Sequence, residues 1–189
     1  TSKSYARRVT TLKVFFGWLA REGIIPQDPA APIVHRPASS PLPRILYDDQ
    51  VERVLQVTET MMRDPEDPDP RPHLLVTLLL ETGIKKAECM RIELADIDTS
   101  DPAQPVLYVR YANPRMRYKE RKLRLPRGWP TTLRFYRERY QPKKRLFECT
   151  ARNLEYVLAN VAKQAGLPAG LSFEMLRMTL SLIHISEPT

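Results

Sequence analysis

The spacing of apolar residues predicts a chain built mostly from helices. In residues 4–23, apolar side chains recur at steps of three and four positions, which is the spacing of an amphipathic helix. The residues on this stripe are Val9, Leu12, Phe16 and Leu19. Similar patterns predict further helices at 48–63, 73–83, 85–98, 130–140, 151–165 and from Ser172 onward.

Helix ends and inner faces follow from the same pattern. We expect Asp48 to cap the helix at 48–63, and Gly83 and Gly166 to end two later helices. The segment 73–83 is apolar on every side, so it belongs at the centre of the core. The other residues expected to be in or near the core are Val51, Val54, Leu55, Ala87, Met90, Leu94 and Tyr156.

Two stretches of alternating residues, 106–111 and 121–126, predict an antiparallel hairpin joined by the turn residues ANPR. With the helices, they predict an α+β fold that is mostly α and carries one small antiparallel sheet. The stretch 24–44 contains six prolines, cannot continue a helix and is typical of an extended linker. We therefore place a domain boundary near Ser40.

Cysteine usage and hydropathy narrow the class of protein. Cys89 and Cys149 lie sixty positions apart without a CxxC pair, which argues against a metal cluster or a disulfide framework and favours a reducing compartment. No apolar run approaches the roughly 20 residues of a membrane span, and no signal peptide opens the chain. We therefore expect a cytoplasmic protein. Because Thr1 is not a methionine, we also expect that residues precede it.

The positive charge is concentrated in one segment. Residues 106–145 contain 14 Lys and Arg against Glu120 and Glu138, a net charge of +12, whereas the other residues carry 16 basic and 20 acidic groups, a net charge of −4. Tyrosine, tryptophan and phenylalanine interleave these charges, which indicates a folded surface. Such a basic block favours a polyanion, above all nucleic acid, over a plain solvated face.

Four segments in order resemble the tyrosine recombinase, or phage integrase, family of Xer-like proteins. The end of its core-binding domain and linker is similar to TLKVFFGWLAREGIIPQDPAAPI followed by LPRILYDDQVERVL, and the helices around its first catalytic arginine are similar to LLLETGIKKAECMRIELADID. Its lysine-bearing hairpin is similar to YKERKLRLP, and its His-x-x-Arg region to RLFECTARNLEYVLANVAKQAGLPAGLSFEMLRMT. The resemblance implies part of a helical core-binding domain in 1–40 and a catalytic domain in 41–179.

The resemblance also implies chemistry on a DNA phosphodiester. In this family a tyrosine attacks the phosphate, forms a phosphotyrosyl link and releases a 5′-hydroxyl, and the hydroxyl of a second strand reverses the step. Two arginines are expected to clamp the negative charge of the transition state, and a hairpin lysine to protonate the leaving oxygen. No metal or nucleotide cofactor is implied, because the covalent intermediate retains the bond energy.

The first half of the implied site keeps the positive charge of the family's site but not all of its residue types. Lys85 stands where the family has its first arginine, and it keeps the positive charge but loses the bidentate fork. As an alternative, Lys85 is an ordinary exposed lysine after a helix cap. Glu88 matches the acidic residue that usually follows and is expected to support the site. Lys119 matches the hairpin lysine, although it is also one charge among many.

The second half of the site departs further from the family. Arg177 matches the second arginine, Glu174 replaces the histidine of the box, and Met178 stands where a histidine or tryptophan is common. A carboxylate repels a phosphate unless it is protonated or paired, and Lys85 and Arg177 are the candidate partners. The implied catalytic residues are therefore Lys85, Lys119, Glu174 and Arg177, in a diverged site.

The end of the chain raises a separate question. The family nucleophile lies downstream of the arginine box, whereas the last tyrosine of this chain is Tyr156, so we expect DNA binding without cleavage. The last ten residues, LSLIHISEPT at 180–189, are encoded by CTG TCT CTT ATA CAC ATC TCC GAG CCC ACG, which resembles a transposon-based sequencing adapter. We hypothesise that the gene was interrupted after about Thr179; a natural, frayed tail is the alternative.

Two functions stay open on these residues. The first is a fragment of a site-specific recombinase or integrase that clamps double-stranded DNA, and whose intact parent assembles as a tetramer-type homo-oligomer. The second is a catalytically silent DNA-binding protein derived from the same fold. A basic RNA-associated protein explains the charge but not the four ordered segments. The expected DNA contacts are Arg7, Arg8, Lys13, Arg115, Arg117, Arg121 and Lys122.

Overall fold

A computed structural model describes residues 2–34 and 42–186 of the chain, with the side chains of 4–34 and 42–180. The chain divides into two compact units, Thr1–Leu42 and Pro43–Thr189. The predicted boundary near Ser40 and the linker residues 35–41 lie outside the described residues. The assignment of each unit to a domain type stays a prediction.

The first unit contains helix α1, Ser2–Arg21, at the place of the predicted helix 4–23. Of the predicted apolar stripe, Val9 is buried, whereas Leu12 is 47% exposed and the other two residues are half-buried. The stripe is therefore less covered than its spacing predicts.

The second unit is built around one apolar helix. Its helices are α2 Asp48–Met62, α3 Arg71–Thr82, α4 Lys86–Cys89, α5 Trp129–Tyr140, α6 Ala151–Gln164 and α7 Phe173–Ser186. Helix α3 packs against α2, α5, α6 and α7, and most of its residues are buried. The predicted central position of 73–83 is therefore confirmed. Within the part of the chain that the structure describes, no helix is both long and apolar enough to cross a membrane.

The helix ends confirm two predicted caps and correct a third. Gly83 ends α3 at φ +57°, a left-handed conformation that favours glycine, and Gly166 follows the end of α6 at φ +65°. The prediction for Asp48 was wrong, because Asp48 is the first residue inside α2. The backbone N–H of Tyr47 donates instead to Oε1 of Gln50, 3.0 Å away.

Three short antiparallel strands form the sheet, β1 Ile97–Asp98, β2 Val106–Val109 and β3 Arg121–Arg124, in that order. The predicted α+β, mostly α fold is confirmed. The connection between β2 and β3 is longer than the predicted ANPR turn, because it contains a 3₁₀ helix at Pro114–Lys119. Asn113 caps the start of this helix, because its Oδ1 accepts a hydrogen bond from the N–H of Arg115 at 3.0 Å.

The strand register decides which hairpin residues face the core. Val109 lies opposite Arg121, and Tyr108 lies opposite Lys122. Because Leu107 and Val109 are buried and side chains alternate along a strand, Arg121 starts on the core-facing side of the sheet and Lys122 on the other.

The predicted helix at 85–98 was wrong in length, because α4 ends at Cys89. Beyond it a 3₁₀ helix spans Leu94–Asp96, and the chain pairs with a distant segment: the N–H of Leu94 donates to the carbonyl of Lys144 at 2.9 Å, not to the carbonyl of Met90 as a continuous α-helix would require. Ala87, predicted to face inward, is exposed. The half-buried residues here include Met90 and Leu94, and the buried ones are Glu88, Cys89 and Ile92.

Tyr156 was predicted to lie in or near the core and is instead 61% exposed. The buried residues of α6 include Leu154 and Leu158. Tyr156 lies two positions from each of them, and at about 100° per residue this places it on the opposite side of the helix. Its hydroxyl accepts a hydrogen bond from Nε of Arg152 at 3.1 Å.

The substitution Gly83→Ala tests the packing at the end of α3. An alanine there must keep a positive φ, and its Cβ would lie 3.0 Å from Cδ2 of Leu180 and 3.6 Å from Cγ of Arg177. We expect the free energy of unfolding to fall by about 2 kcal/mol, from backbone strain and overpacking together. Urea unfolding measures this loss.

Gly166→Ala is the matched control for that experiment. Gly166 also has a positive φ, but no atom lies within 4 Å of the Cβ that alanine would add. Only the strain of a positive φ remains, so we expect the free energy of unfolding to fall by about 1 kcal/mol. Equal losses in the two variants would contradict a packing constraint at Gly83.

Candidate active site

A cleft of about 430 Å³ brings together three of the four predicted catalytic residues. Lys85 lies at the start of α4, and Glu174 and Arg177 lie on the first turns of α7. The apolar residues that line the cleft are Ile84, Leu171 and Phe173. Positive and negative side chains therefore share one open, partly apolar depression at the junction of two helices.

Helix α7 is held firmly where it carries Arg177. The side chain of Arg177 is half-buried, and its Cγ lies close enough to Gly83 to contact any Cβ added there. Two residues further on, the buried hydroxyl of Thr179 accepts from the N–H of Leu46 at 2.9 Å and donates to the carbonyl of Met175 at 2.8 Å. These contacts hold α7 against the end of α3 and against the segment that precedes α2.

Glu174 has a different environment from Arg177. It is exposed on the first turn of α7, where the partial positive charge of a helix N-terminus favours a carboxylate. Met178, which stands where the family often has a ring donor, is half-buried. The predicted pairing of Glu174 with Lys85 or Arg177 stays a prediction.

Beneath the exposed Lys85, the carboxylate of Glu88 is buried and accepts four hydrogen bonds. Its Oε2 accepts from the backbone N–H of Lys85 and from Nη2 of Arg121, each at 2.9 Å. Its Oε1 accepts from Nη1 of Arg121 at 2.9 Å and from the hydroxyl of Tyr111. Both oxygens therefore have two donors.

These donors decide the charge of Glu88. Burial by itself raises the pKa of the carboxyl group, but the hydrogen bonds from Arg121, Tyr111 and the N–H of Lys85 outweigh it and lower the pKa to about 2. Glu88 is therefore ionised at neutral pH and forms a charge-assisted, bidentate pair with Arg121. This geometry fits the supporting role that the resemblance implies.

Sequence reasoning missed the partners of Glu88. Tyr111 was noted only as one of the aromatic residues in the basic block, and Arg121 was interpreted as a DNA contact. The hydrogen bond to Glu88 raises the pKa of the Tyr111 hydroxyl, and the guanidinium carbon of Arg91 lies 4.8 Å from the centre of the Tyr111 ring. The two-residue period of β3 was the signal available for Arg121, because it shares a face with Leu123.

Lys119 lies outside the cleft that holds the other three predicted residues. It is the last residue of the 3₁₀ helix, immediately before β3, and is half-buried. Its Nζ lies 5.2 Å from the centre of the Tyr118 ring. Its carbonyl accepts a hydrogen bond from Nη1 of Arg121 at 3.3 Å, so its backbone is connected to the Glu88 pair.

The predicted DNA contacts differ in their surroundings. Arg115, Arg117 and Lys122 are exposed around the hairpin, as are Arg7 and Arg8 on α1. Lys13 is half-buried, and its Nζ donates to the carbonyl of Ile33 at 2.8 Å. Among the described residues there is no cluster of three or more His, Cys, Asp or Glu side chains that could hold a metal ion.

Solved structures identify the fold. The fold is similar to that of XerA recombinase, with a TM-score of 0.62, 16% identity and coverage of 95% of this chain and 70% of the other. It is also similar to a lambda integrase dimer bound to a COC′ core site, with a TM-score of 0.66, 17% identity and coverage of 98% and 53%. The chain therefore has the fold of the tyrosine recombinases and integrases.

The sequence relatives are tyrosine recombinases XerC. Over 95 residues, half of this chain and 31% of the relative, the identity is 34% with XerC of Listeria welshimeri. Over 94 residues it is 35% with XerC of Mycobacterium tuberculosis, again half of this chain and 32% of the relative. The match thus spans about a third of the length of these relatives. No family model matches the chain. The predicted resemblance to the tyrosine recombinase and integrase family is confirmed in both sequence and fold.

The substitution Glu88→Gln tests the buried charge. Gln cannot balance the guanidinium of Arg121, so at pH 7 we expect the free energy of unfolding to fall by about 3 kcal/mol. The pKa of Glu88 is about 2 in the folded chain against an ordinary 4.5. Its stabilisation is therefore complete above pH 4.5 and is lost as the pH falls toward 2.

Urea unfolding at pH 7, 4 and 3 measures this difference, which should shrink over that range. Glu81→Gln is the control, because Glu81 is an exposed carboxylate on α3. It should change the free energy of unfolding by less than about 0.5 kcal/mol at each pH. A constant difference for Glu88→Gln at all three values would contradict the role of its charge.

Proposed function

We propose that the chain is part of a site-specific tyrosine recombinase or integrase that binds duplex DNA with the scissile phosphate in the cleft of Lys85 and Arg177. The observation that carries the proposal is the convergence of these two cations beside the buried Glu88 pair, in the fold of proteins solved on DNA. One of these is XerH bound to its difH substrate, with a TM-score of 0.61 and 18% identity over 89% of this chain.

Each cation has a distinct role in this proposal. Arg177 and Lys85 stabilise the negative charge that develops on the non-bridging phosphate oxygens. Arg177 does so with a planar fork, whereas Lys85 offers a single ammonium group, so the clamp is asymmetric. Lys119 protonates the leaving 5′-oxygen, which requires that DNA binding bring it to the cleft. Glu88 holds the backbone of Lys85. No metal and no nucleotide cofactor takes part.

The basic surface supplies the binding energy. The β2–β3 hairpin exposes Arg115, Arg117 and Lys122. Helix α1 offers a second set of phosphate contacts, Arg7 and Arg8. Contacts of this kind fix the position of the protein on the duplex without reading its sequence. In the intact protein we propose a homo-oligomer of the tetramer type. A lambda integrase tetramer bound to a Holliday junction has a similar fold, with a TM-score of 0.62.

A catalytically silent DNA-binding protein is the second candidate. Lys85, Glu174 and Met178 favour it, because each replaces a group that stabilises phosphate in the active family members. The proposal assigns no nucleophile within the 189 residues. Tyr156 is exposed but does not line the cleft.

Salt dependence tests the DNA-binding part of the proposal. Fluorescence anisotropy of the full chain with a labelled duplex, from 50 to 200 mM salt, should give a log–log slope of about −0.9 for each phosphate contact. Arg115→Gln and Arg117→Gln should each reduce the slope by about one contact. Arg53→Gln on α2 is the control and should leave the slope unchanged. A slope near zero for the unaltered chain would refute the proposal.

A nicked suicide substrate tests the assignment of the nucleophile. We expect the 189-residue chain to bind this DNA without forming a covalent adduct detectable by denaturing electrophoresis. An adduct mapped to Tyr156 by mass spectrometry would overturn that assignment. Sequencing the source locus beyond residue 179 separates the two candidates: a downstream helix with a tyrosine favours the recombinase, and its absence favours the silent binder.

A further inference from the structure

We infer that Arg121 is a positioning residue, which ties the backbone of Lys85 to that of Lys119 and does not contact a DNA phosphate. This inference rests on the proposed function, because it assigns a task to Arg121 within the same site. It differs from the interpretation of the sequence, in which Arg121 was one of several phosphate contacts on the hairpin.

Strand register decides the side of the sheet on which Arg121 lies. Arg121 begins β3 opposite Val109, on the side of the sheet that carries the buried Leu107. Its side chain is 37% exposed, but its guanidinium turns toward Glu88, where Nη1 and Nη2 each donate to a different carboxylate oxygen at 2.9 Å. Lys122, the next residue, starts on the opposite side of the sheet.

The same guanidinium also bonds the backbone of the 3₁₀ helix that precedes β3. Nη1 also donates to the carbonyl of Lys119 at 3.3 Å. Through Glu88, the pair holds the backbone N–H of Lys85, where α4 begins. One planar group therefore lies between the two lysines that the proposed mechanism needs, and it limits how far the hairpin can move from α4.

Tyr111 makes two further hydrogen bonds that hold the start of the connection between β2 and β3. The N–H of Tyr111 donates to Oε1 of Glu120 at 2.9 Å, while its hydroxyl donates to Glu88. Tyr111 therefore ties the start of the connection between β2 and β3 both to Glu120, next to Arg121, and to Glu88. Breaking the Arg121 pair should release Lys119 without unfolding the strand.

The pairing of Arg121 with Glu88 also changes its electrostatic contribution to DNA binding. Arg121 and Glu88 together carry no net charge, and a guanidinium neutralised by a carboxylate adds little to the release of counterions from DNA. The exposed Arg117, on the same connection, is not among the described ion pairs. Salt dependence can therefore separate a positioning arginine from a phosphate contact.

The test compares Arg121→Gln, Arg121→Lys and Arg117→Gln in the full chain, by anisotropy with the same duplex over the same salt range. We expect Arg121→Gln to weaken binding roughly tenfold, the scale of one lost hydrogen bond to a charged group, because Lys85 and Lys119 are no longer held in place, with an unchanged slope. Arg121→Lys should not restore affinity, because it keeps the charge but lacks the bidentate fork. Arg117→Gln should instead reduce the slope by about one contact.

A second readout does not depend on DNA. A ¹³C NMR titration of Glu88 should give a pKa near 2 in the unaltered chain and a higher pKa in Arg121→Gln, because burial is then less opposed. Circular dichroism verifies that each variant is folded at the assay temperature. An unchanged pKa of Glu88 would overturn the inference.

Two further outcomes separate this inference from the proposed function. If Arg121→Gln lowers the salt slope by about one contact and Arg121→Lys restores binding, Arg121 is a phosphate contact and only the inference fails. If the unaltered chain does not bind duplex DNA, the proposed function fails and the inference fails with it.

Discussion

The arrangement of the site depends on one buried negative charge. The carboxylate of Glu88 accepts hydrogen bonds from the start of α4, from Arg121 on β3 and from Tyr111 beyond β2. A carboxylate can be buried at an acceptable cost only when its oxygens are supplied with donors, and here each oxygen has two. Three separate stretches of chain must therefore reach their final positions together.

The apolar helix α3 gives this arrangement its fixed reference. Only Gly83 and Ile84 separate the end of α3 from Lys85, so the chain itself holds Lys85 close to α3. Helix α7 packs on α3, so Arg177 is attached to the same helix by side-chain contact. Because Lys85 and Arg177 are both positioned by one closely packed helix, the distance between them can change little.

The long helices, their order and the caps at Gly83 and Gly166 could be predicted, because apolar spacing and glycine at a helix end are local signals. The length of α4 could not, because it is set by pairing with a segment fifty positions away. The inward direction of Arg121 likewise depends on strand register. The site residues came from a family resemblance, and the structure gathers three of the four in one cleft; Tyr111, the missing partner, is brought in only by tertiary packing.

The hydrogen bond between Leu46 and Thr179 has a consequence for biosynthesis. These residues stand near the two ends of the second unit, 133 positions apart, yet their bond helps to seat α7. During translation Leu46 is synthesised early and Thr179 late. The hydrogen bond that positions α7 therefore cannot form until most of the second unit has been made. The basic segment 106–145 is therefore synthesised before Arg177 can join Lys85 in the cleft.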